Sequence, residues 1–218
     1  SRLSSGPNQK HTWMNVYGTG IPLPFGESDS LETAKKSNIL YMGGQYRYQV
    51  SQVLSLGCGL QWTRIATHVA QDSVTNLLSL GIENTLQKFV RNSLDLEPSI
   101  RINIGPRGNT IGDYIELAGY GGFMFSDGFI AKNDVEAKDF SGAEEVKIVS
   151  RKLRYMNKLD YGAIFRVGFG TFNVWARYRL SDNFKANEYI NGGRVLPEMA
   201  RLTIGIGATL WTPGPEYQ

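Results

Sequence analysis

The stretch from Val90 to Ile104, VRNSLDLEPSIRINI, alternates in polarity almost without a break over fifteen residues. Arg91, Ser93, Asp95, Glu97, Ser99, Arg101 and Asn103 fall on one side. Val90, Leu94, Leu96, Pro98, Ile100, Ile102 and Ile104 fall on the other, with Asn92 the single exception. A helix would scatter these residues around its circumference, whereas a strand sends successive side chains to opposite faces, so a period of two selects a strand. At about 3.3 Å per residue it is roughly 45–50 Å long, against the ~17–20 Å common in globular sheets. Such a length, with charge along one whole face, calls for an architecture other than an ordinary domain core.

The same period runs through most of the chain. Asn38–Val50 sets Leu40, Met42, Tyr46, Tyr48 and Val50 against Tyr41, Gln45, Arg47 and Gln49. After a tight turn at Ser51 and Gln52, Val53–Thr67 returns with Leu54, Leu56, Cys58, Leu60 and Trp62 opposite Ser55, Gly57, Gly59, Gln61 and Thr63, which predicts a hairpin. Ile111–Ser126, Lys158–Gly168, Phe172–Ser181 and Arg201–Trp211 alternate likewise, and Thr12–Tyr17 predicts a short first strand. The turn residues Pro106–Asn109 and the connection Gly168–Thr171 are short, while the connections near 18–37, 69–87, 127–156 and 183–199 are long. The expectation is an all-β chain of eight antiparallel strands running up and down, short turns at one end and long loops at the other. No repeat or low-complexity linker divides it, so residues 1–218 read as one barrel domain with tails at 1–11 and 212–218.

Alternation does not say which face is inside. A soluble lipocalin-like barrel has an apolar interior and a polar exterior, and a transmembrane β-barrel the reverse. Lysine usage separates them: all ten lysines fall in predicted loops or at strand ends, whereas a water-exposed strand face would carry several. The polar faces instead hold Arg47, Arg91, Arg101, Arg166, Arg177, Arg179 and Arg201 beside Asp95, Glu97, Glu116 and Asp160. That composition suits an interior charge network in which guanidinium forks pair with carboxylates. The opposite faces carry Tyr46, Tyr48, Trp62, Phe123, Phe125, Phe165, Phe172 and Tyr178, which would be lipid-facing or interfacial in a transmembrane barrel. Apolar content of 41% without a ~20-residue apolar run excludes helical spans only. A net charge of +3 is too small to argue for nucleic acid.

Five segments, YRYQVSQVLSL, LDLEPSIRI, ELAGYGGFMFS, WARYRLSDNF and LPEMARLTIGIGATLW, resemble the small outer-membrane β-barrel proteins of Bacteroidetes-type bacteria, the OmpA-like or PorT-like barrels. The resemblance covers about Ile39 to Trp211. It implies an eight-stranded barrel in the bacterial outer membrane, short periplasmic turns, surface-exposed loops and a signal peptide already removed. It further implies outer-membrane lipid and lipopolysaccharide as surroundings and other envelope proteins as partners. Members of the family end on an aromatic residue, whereas here Trp211 is followed by TPGPEYQ.

Residues that could carry chemistry are few. His68 with Ser73 is the one pairing a lipid-modifying barrel enzyme could use, but no orienting acid is fixed by spacing, and a solvated loop histidine is the simpler assignment. Asp127, Asp134, Glu136, Asp139, Glu144 and Glu145 could collect Ca²⁺, yet they alternate with Lys132, Lys138 and Lys147 as a solvated loop does. The glycines at 18–20 and 119–122 lack the strand-to-helix setting of a nucleotide loop. Cys58, the single cysteine, reads as a small outward apolar residue. Neither a metal nor any other cofactor is expected. The expectation is a non-enzymatic structural or partner-binding subunit of an envelope assembly. A narrow-pore transport protein, a lipid-modifying enzyme and a soluble ligand-binding barrel are the alternatives.

Overall fold

The computed structural model describes residues 10–23, 37–69, 86–104, 111–134, 145–185 and 198–212. These residues contain no helix. Their strands are β1 (His11–Leu23), β2 (Asn38–Gln49), β3 (Leu54–Val69), β4 (Leu86–Ile104), β5 (Asp113–Asp134), β6 (Glu145–Arg151), β7 (Leu159–Phe169), β8 (Phe172–Arg179) and β9 (Leu202–Thr212). Eight of them form a closed antiparallel barrel, in which β1 pairs with both β2 and β9 and β4 pairs with β5. The ninth, β6, pairs with β5 beyond the ring, where Gly128–Asp134 oppose Arg151–Glu145.

Directly opposed residues can be followed once around the ring, from Phe169 through Phe172, Ala208, Tyr17, Met42, Trp62, Leu94 and Phe123. The path returns to β7 at Leu159, ten residues from its start. A stagger of that size over eight strands ~4.8 Å apart tilts them by about 40°.

Alternation then divides the side chains cleanly. Leu94, Leu96, Ile100, Ile102 and Ile104 of β4 are exposed on the outside, while Arg91, Ser93, Asp95, Glu97, Ser99, Arg101 and Asn103 are buried. The tight turns follow local chemistry. At the β2–β3 connection Ser51 Oγ accepts from the N–H groups of Val53 and Leu54 at 3.3 and 3.0 Å. The β7–β8 connection is made by Gly170 and Thr171, with Gly170 at φ 59°, a left-handed conformation that favours glycine.

Two connections differ from the sequence expectation. β1 runs on to Leu23, because Gly18–Leu23 pair with β9 at Gly207–Leu202. The 127–156 segment is not one long loop: β5 continues to Asp134 and folds back as β6. What hides this in the sequence is a bulge, at which Asn92 opposes Ser126 but Ser93 opposes Met124. Phe125 is the extra residue, and it moves the inward set of β5 from Glu116, Ala118, Tyr120 and Met124 to Asp127, Phe129 and Ala131. The predicted turn at 106–109 and the segments 24–36, 70–85, 135–144 and 186–197 lie outside the described residues.

Inward aromatics need space that glycine supplies. A Cβ on Gly205 would stand 2.3 Å from the Thr19 carbonyl oxygen and 2.4 Å from Trp175 Cζ2. Gly121, by contrast, faces open space. Gly205→Ala is therefore expected to lower barrel stability by about 1–3 kcal/mol through overpacking, while Gly121→Ala leaves the urea unfolding midpoint unchanged or slightly raised. Equal effects of the two substitutions would contradict this packing.

Candidate functional site

The lumen is built from the polar faces of the strands, and its charges form layers from the turn end to the loop end. In the first layer Glu116 of β5 meets three arginines. Arg47 Nη2 and Arg101 Nε lie 2.7 and 2.8 Å from its Oε2, and Arg166 Nη1 lies 2.7 Å from its Oε1. Arg166 also grips Glu97 with both terminal nitrogens, Nη2 at 2.8 Å from Oε2, and Gln61 donates to that same oxygen at 2.8 Å. A bidentate fork of this kind fixes orientation as well as charge.

The next layer is centred on Arg177. Its Nη1 is 2.9 Å from Asp95 Oδ2 and its Nη2 3.3 Å from Asp160 Oδ2. Asp95 also accepts from the hydroxyls of Thr63 and Ser93 at 2.7 Å, and Asp160 from Tyr120 at 3.1 Å and Ser181 at 3.0 Å. Arg101 and Arg177 stack on Tyr114 and Tyr120, with Cζ 3.4 and 3.6 Å from the ring centres. Pairs such as Arg47 with Glu116 and Arg177 with Asp95 join strands three places apart in the ring, so they cross the bore and fill it.

The mouth at the loop end has its own set. Arg179 donates to Glu198 Oε1 at 2.8 Å and to the Met199 carbonyl oxygen at 2.7 Å, and Glu198 accepts from the Asn183 N–H at 3.1 Å. Arg91 Nη1 donates to Asn183 Oδ1. Arg201 borders the lumen only at its loop-end mouth. It precedes β9 and pairs with Asp182 at the rim, where their side chains are 23% and 63% exposed. Beyond the mouth the inward residues turn apolar: Phe89, Met124, Phe129, Ala131, Leu153, Met156, Phe184 and Met199 form one buried cluster. Tyr155 packs against it, and burial, reinforced by the negative charge of Asp127, pushes its phenol up to about 12.

The remaining candidates separate by position. Tyr46, Tyr48 and Phe172 lie on the outer face near the turn end with Trp13 and Phe169. Trp62, Phe123, Phe125 and Tyr178 lie toward the loop end with Tyr161, and Phe165 sits between the two groups. The His68 N–H donates to Ser37 Oγ at 2.8 Å, and Ser73 lies outside the described residues. Among the proposed Ca²⁺ ligands, Asp127 is buried, accepting from the Leu153 N–H at 2.6 Å and pairing with Lys158 at 3.2 Å. Asp134 and Glu145 oppose each other across β5 and β6, and Glu136, Asp139 and Glu144 lie outside the described residues. Among the described residues no three His, Cys, Asp or Glu side chains are placed to hold a metal.

Several participants were not singled out from the sequence. Gln61, Thr63, Ser93 and Ser99 were available from the alternation but carry no charge to mark them. Asn183 and Glu198 lie in irregular segments, where no periodicity reports the direction of a side chain. Neither a protein-family model nor a curated protein matches the chain.

Removing one member of a buried ion pair leaves the others uncompensated, at about 3–5 kcal/mol, while an exposed pair contributes about 0–1 kcal/mol. Glu116→Gln, which strands Arg47 and Arg101, is therefore expected to cost that larger amount or prevent folding, and Arg201→Gln less than about 1 kcal/mol. Urea midpoints that rank the two the other way would contradict the assignment.

Proposed function

We propose that this chain is an integral outer-membrane β-barrel that performs no catalysis. In this reading it serves an envelope assembly as a structural or partner-binding subunit, through the connections at its loop end. The observation that carries the proposal is the outer face. Leu96, Leu117, Phe165, Val174 and Ile206 are 47 to 64% exposed in a belt across the middle of the outer face, and outward charges such as Arg64, opposite Leu40, and Asp113, opposite Ile104, lie toward its two ends. Leu94 to Ile104 covers about 33 Å of strand, which at a ~40° tilt gives ~25 Å of height, the thickness of the apolar band on outer-membrane barrels. Aromatics toward both ends of the belt fit the two membrane–water interfaces. An apolar surface of this extent on a water-exposed monomer would drive association.

The resemblance to the Bacteroidetes-type barrels supports an outer-membrane location, with lipid and lipopolysaccharide around the belt and other envelope proteins at the loops. The bore supports a subunit over a transporter, since arginines and carboxylates from strands across the ring occupy it. With the bore closed by paired charge, recognition falls to the segments beyond the rim, which a rigid barrel can present.

Unheated protein is expected to migrate faster than boiled protein on a denaturing gel and to require detergent for extraction. A natively folded chain that stays soluble and monodisperse without detergent would contradict the membrane reading. Mild-detergent purification from native membranes is expected to retain envelope proteins in fixed stoichiometry, and recovery of the barrel alone would contradict the subunit role.

A further inference from the structure

Outward cations at the loop end gather in one sector of the wall. Above the apolar belt, the outer face of β3 to β6 carries Arg64, Lys88, Lys132, Lys147 and Arg151, with His68 opposite Lys88. Against these five cations stand two acids, Asp134 and Glu145, which end the β5–β6 ladder at its tip. On the other side of the mouth Arg201 is matched by Asp182.

Three of the cations surround one spot. Gly128 of β5 faces outward, with Arg151 as its register partner on β6 and Val90 on β4. Lys88 lies two residues beyond Val90, and Arg64 pairs with Asn92, two residues before it. With strands ~4.8 Å apart and ~6.6 Å between alternate residues, all three Cα atoms fall within roughly 12 Å of Gly128, so their long side chains can converge on one anion. A Cβ at Gly128 would meet only the Ser150 carbonyl oxygen, at 3.3 Å, so no side chain from another described strand covers the spot. Arg64, Lys88 and Arg151 make no ion pair among the described residues. Asp127, next to Gly128, faces the lumen, where Lys158 and the Leu153 N–H engage it.

Height identifies the anion. Gly128 lies three residues beyond Phe125, the last outward aromatic of β5. At ~3.3 Å per residue and a ~40° tilt it stands about 8 Å nearer the loop end, and the headgroup layer of a bilayer occupies ~5–8 Å on each side of the hydrocarbon core.

We propose that the outer face at Gly128 binds the anionic phosphate of a phosphorylated lipid from the surrounding leaflet. Arg151 offers a fork for two phosphate oxygens and Lys88 a point charge, while Arg64 approaches from the membrane side. Asn92 and Ser126, outward in the row below, add neutral donors, and the acyl chains lie along Phe125, Phe123 and Leu94. This site rests on the outer-membrane reading and adds a fixed headgroup position to it.

Native mass spectrometry of the barrel in mild non-ionic detergent tests the proposal. The titrants are dioleoyl phosphatidic acid and dioleoyl phosphatidylcholine, whose phosphate is neutralised by its own choline. Heat-modifiable gel mobility checks that each variant is folded. The wild type is expected to bind one phosphatidic acid about tenfold more tightly than phosphatidylcholine, and Lys88→Gln combined with Arg151→Gln to remove that preference. Lys147→Gln, near the hairpin tip, is expected to change it by less than about twofold. Equal affinity for the two lipids, a preference that survives the double substitution, an equal loss in Lys147→Gln, or displacement by inorganic phosphate as effective as by phosphatidic acid would overturn the site. A folded, detergent-requiring barrel that binds both lipids equally overturns the headgroup site alone, whereas a chain soluble without detergent that binds neither lipid overturns the membrane reading as well.

Discussion

Six arginines and five carboxylates are buried among the described residues, and the structure depends on each being met by opposite charge or by hydrogen bonds, most of them within the lumen. A guanidinium withdrawn from water without a partner is costly enough to unfold a domain of ordinary stability. The chain meets this constraint by sharing: one carboxylate, Glu116, serves Arg47, Arg101 and Arg166, and one arginine, Arg177, bridges Asp95 and Asp160. Arg101, Arg166 and Asp160 meet their partners from adjacent strands, whereas Arg47 with Glu116 and Arg177 with Asp95 join strands three places apart in the ring. These longer links therefore tie the barrel across its bore, a task the backbone ladders around the wall cannot perform.

The wall geometry makes that cross-linking feasible. A ten-residue stagger over eight strands gives a bore narrow enough for opposing long side chains to meet, and its remaining volume is taken by Tyr41, Trp175, Tyr114 and Tyr120. Glycines across from those rings, such as Gly168 under Tyr114 and Gly205 under Trp175, let the aromatics lie against the wall. Charge and aromatic packing are thus coupled, since Arg101 and Arg177 stack on Tyr114 and Tyr120. Filling the bore with polar groups also leaves the apolar side chains to face outward, so the inside-out pattern follows from the same set of residues.

Much of this architecture is legible in the alternation of residues. The Val90–Ile104 run specifies a strand and its two faces, and the same parity continues through β2, β3, β7, β8 and β9. Parity fails where the backbone departs from regular pleating. The Phe125 bulge reverses the inward face of β5, so Asp127 and Phe129 read as the start of a loop although they are buried. Gly18–Leu23 read as a loop because glycine and proline are weak strand formers, and pairing with β9 overrides that preference. Partner choice is not legible either. Which acid meets which arginine depends on the stagger around the ring, a property of the closed barrel that no single strand encodes. Arg201 shows the limit of periodicity at a strand end, where one residue beyond the ladder moves a side chain from the lumen to the rim.

The central claim is that the outer face of this barrel meets lipid while its charges remain inside, and Cys58 offers a direct test. It is the single cysteine in the chain, it faces outward on β3, and its register partners are Tyr46 and Pro98. A nitroxide attached to Cys58 in barrels reconstituted into liposomes reports its surroundings through collisions with relaxation agents. The account predicts accessibility dominated by oxygen, which partitions into the bilayer, over a water-soluble nickel chelate. Dominant accessibility to the nickel chelate would place this face in water and contradict the account.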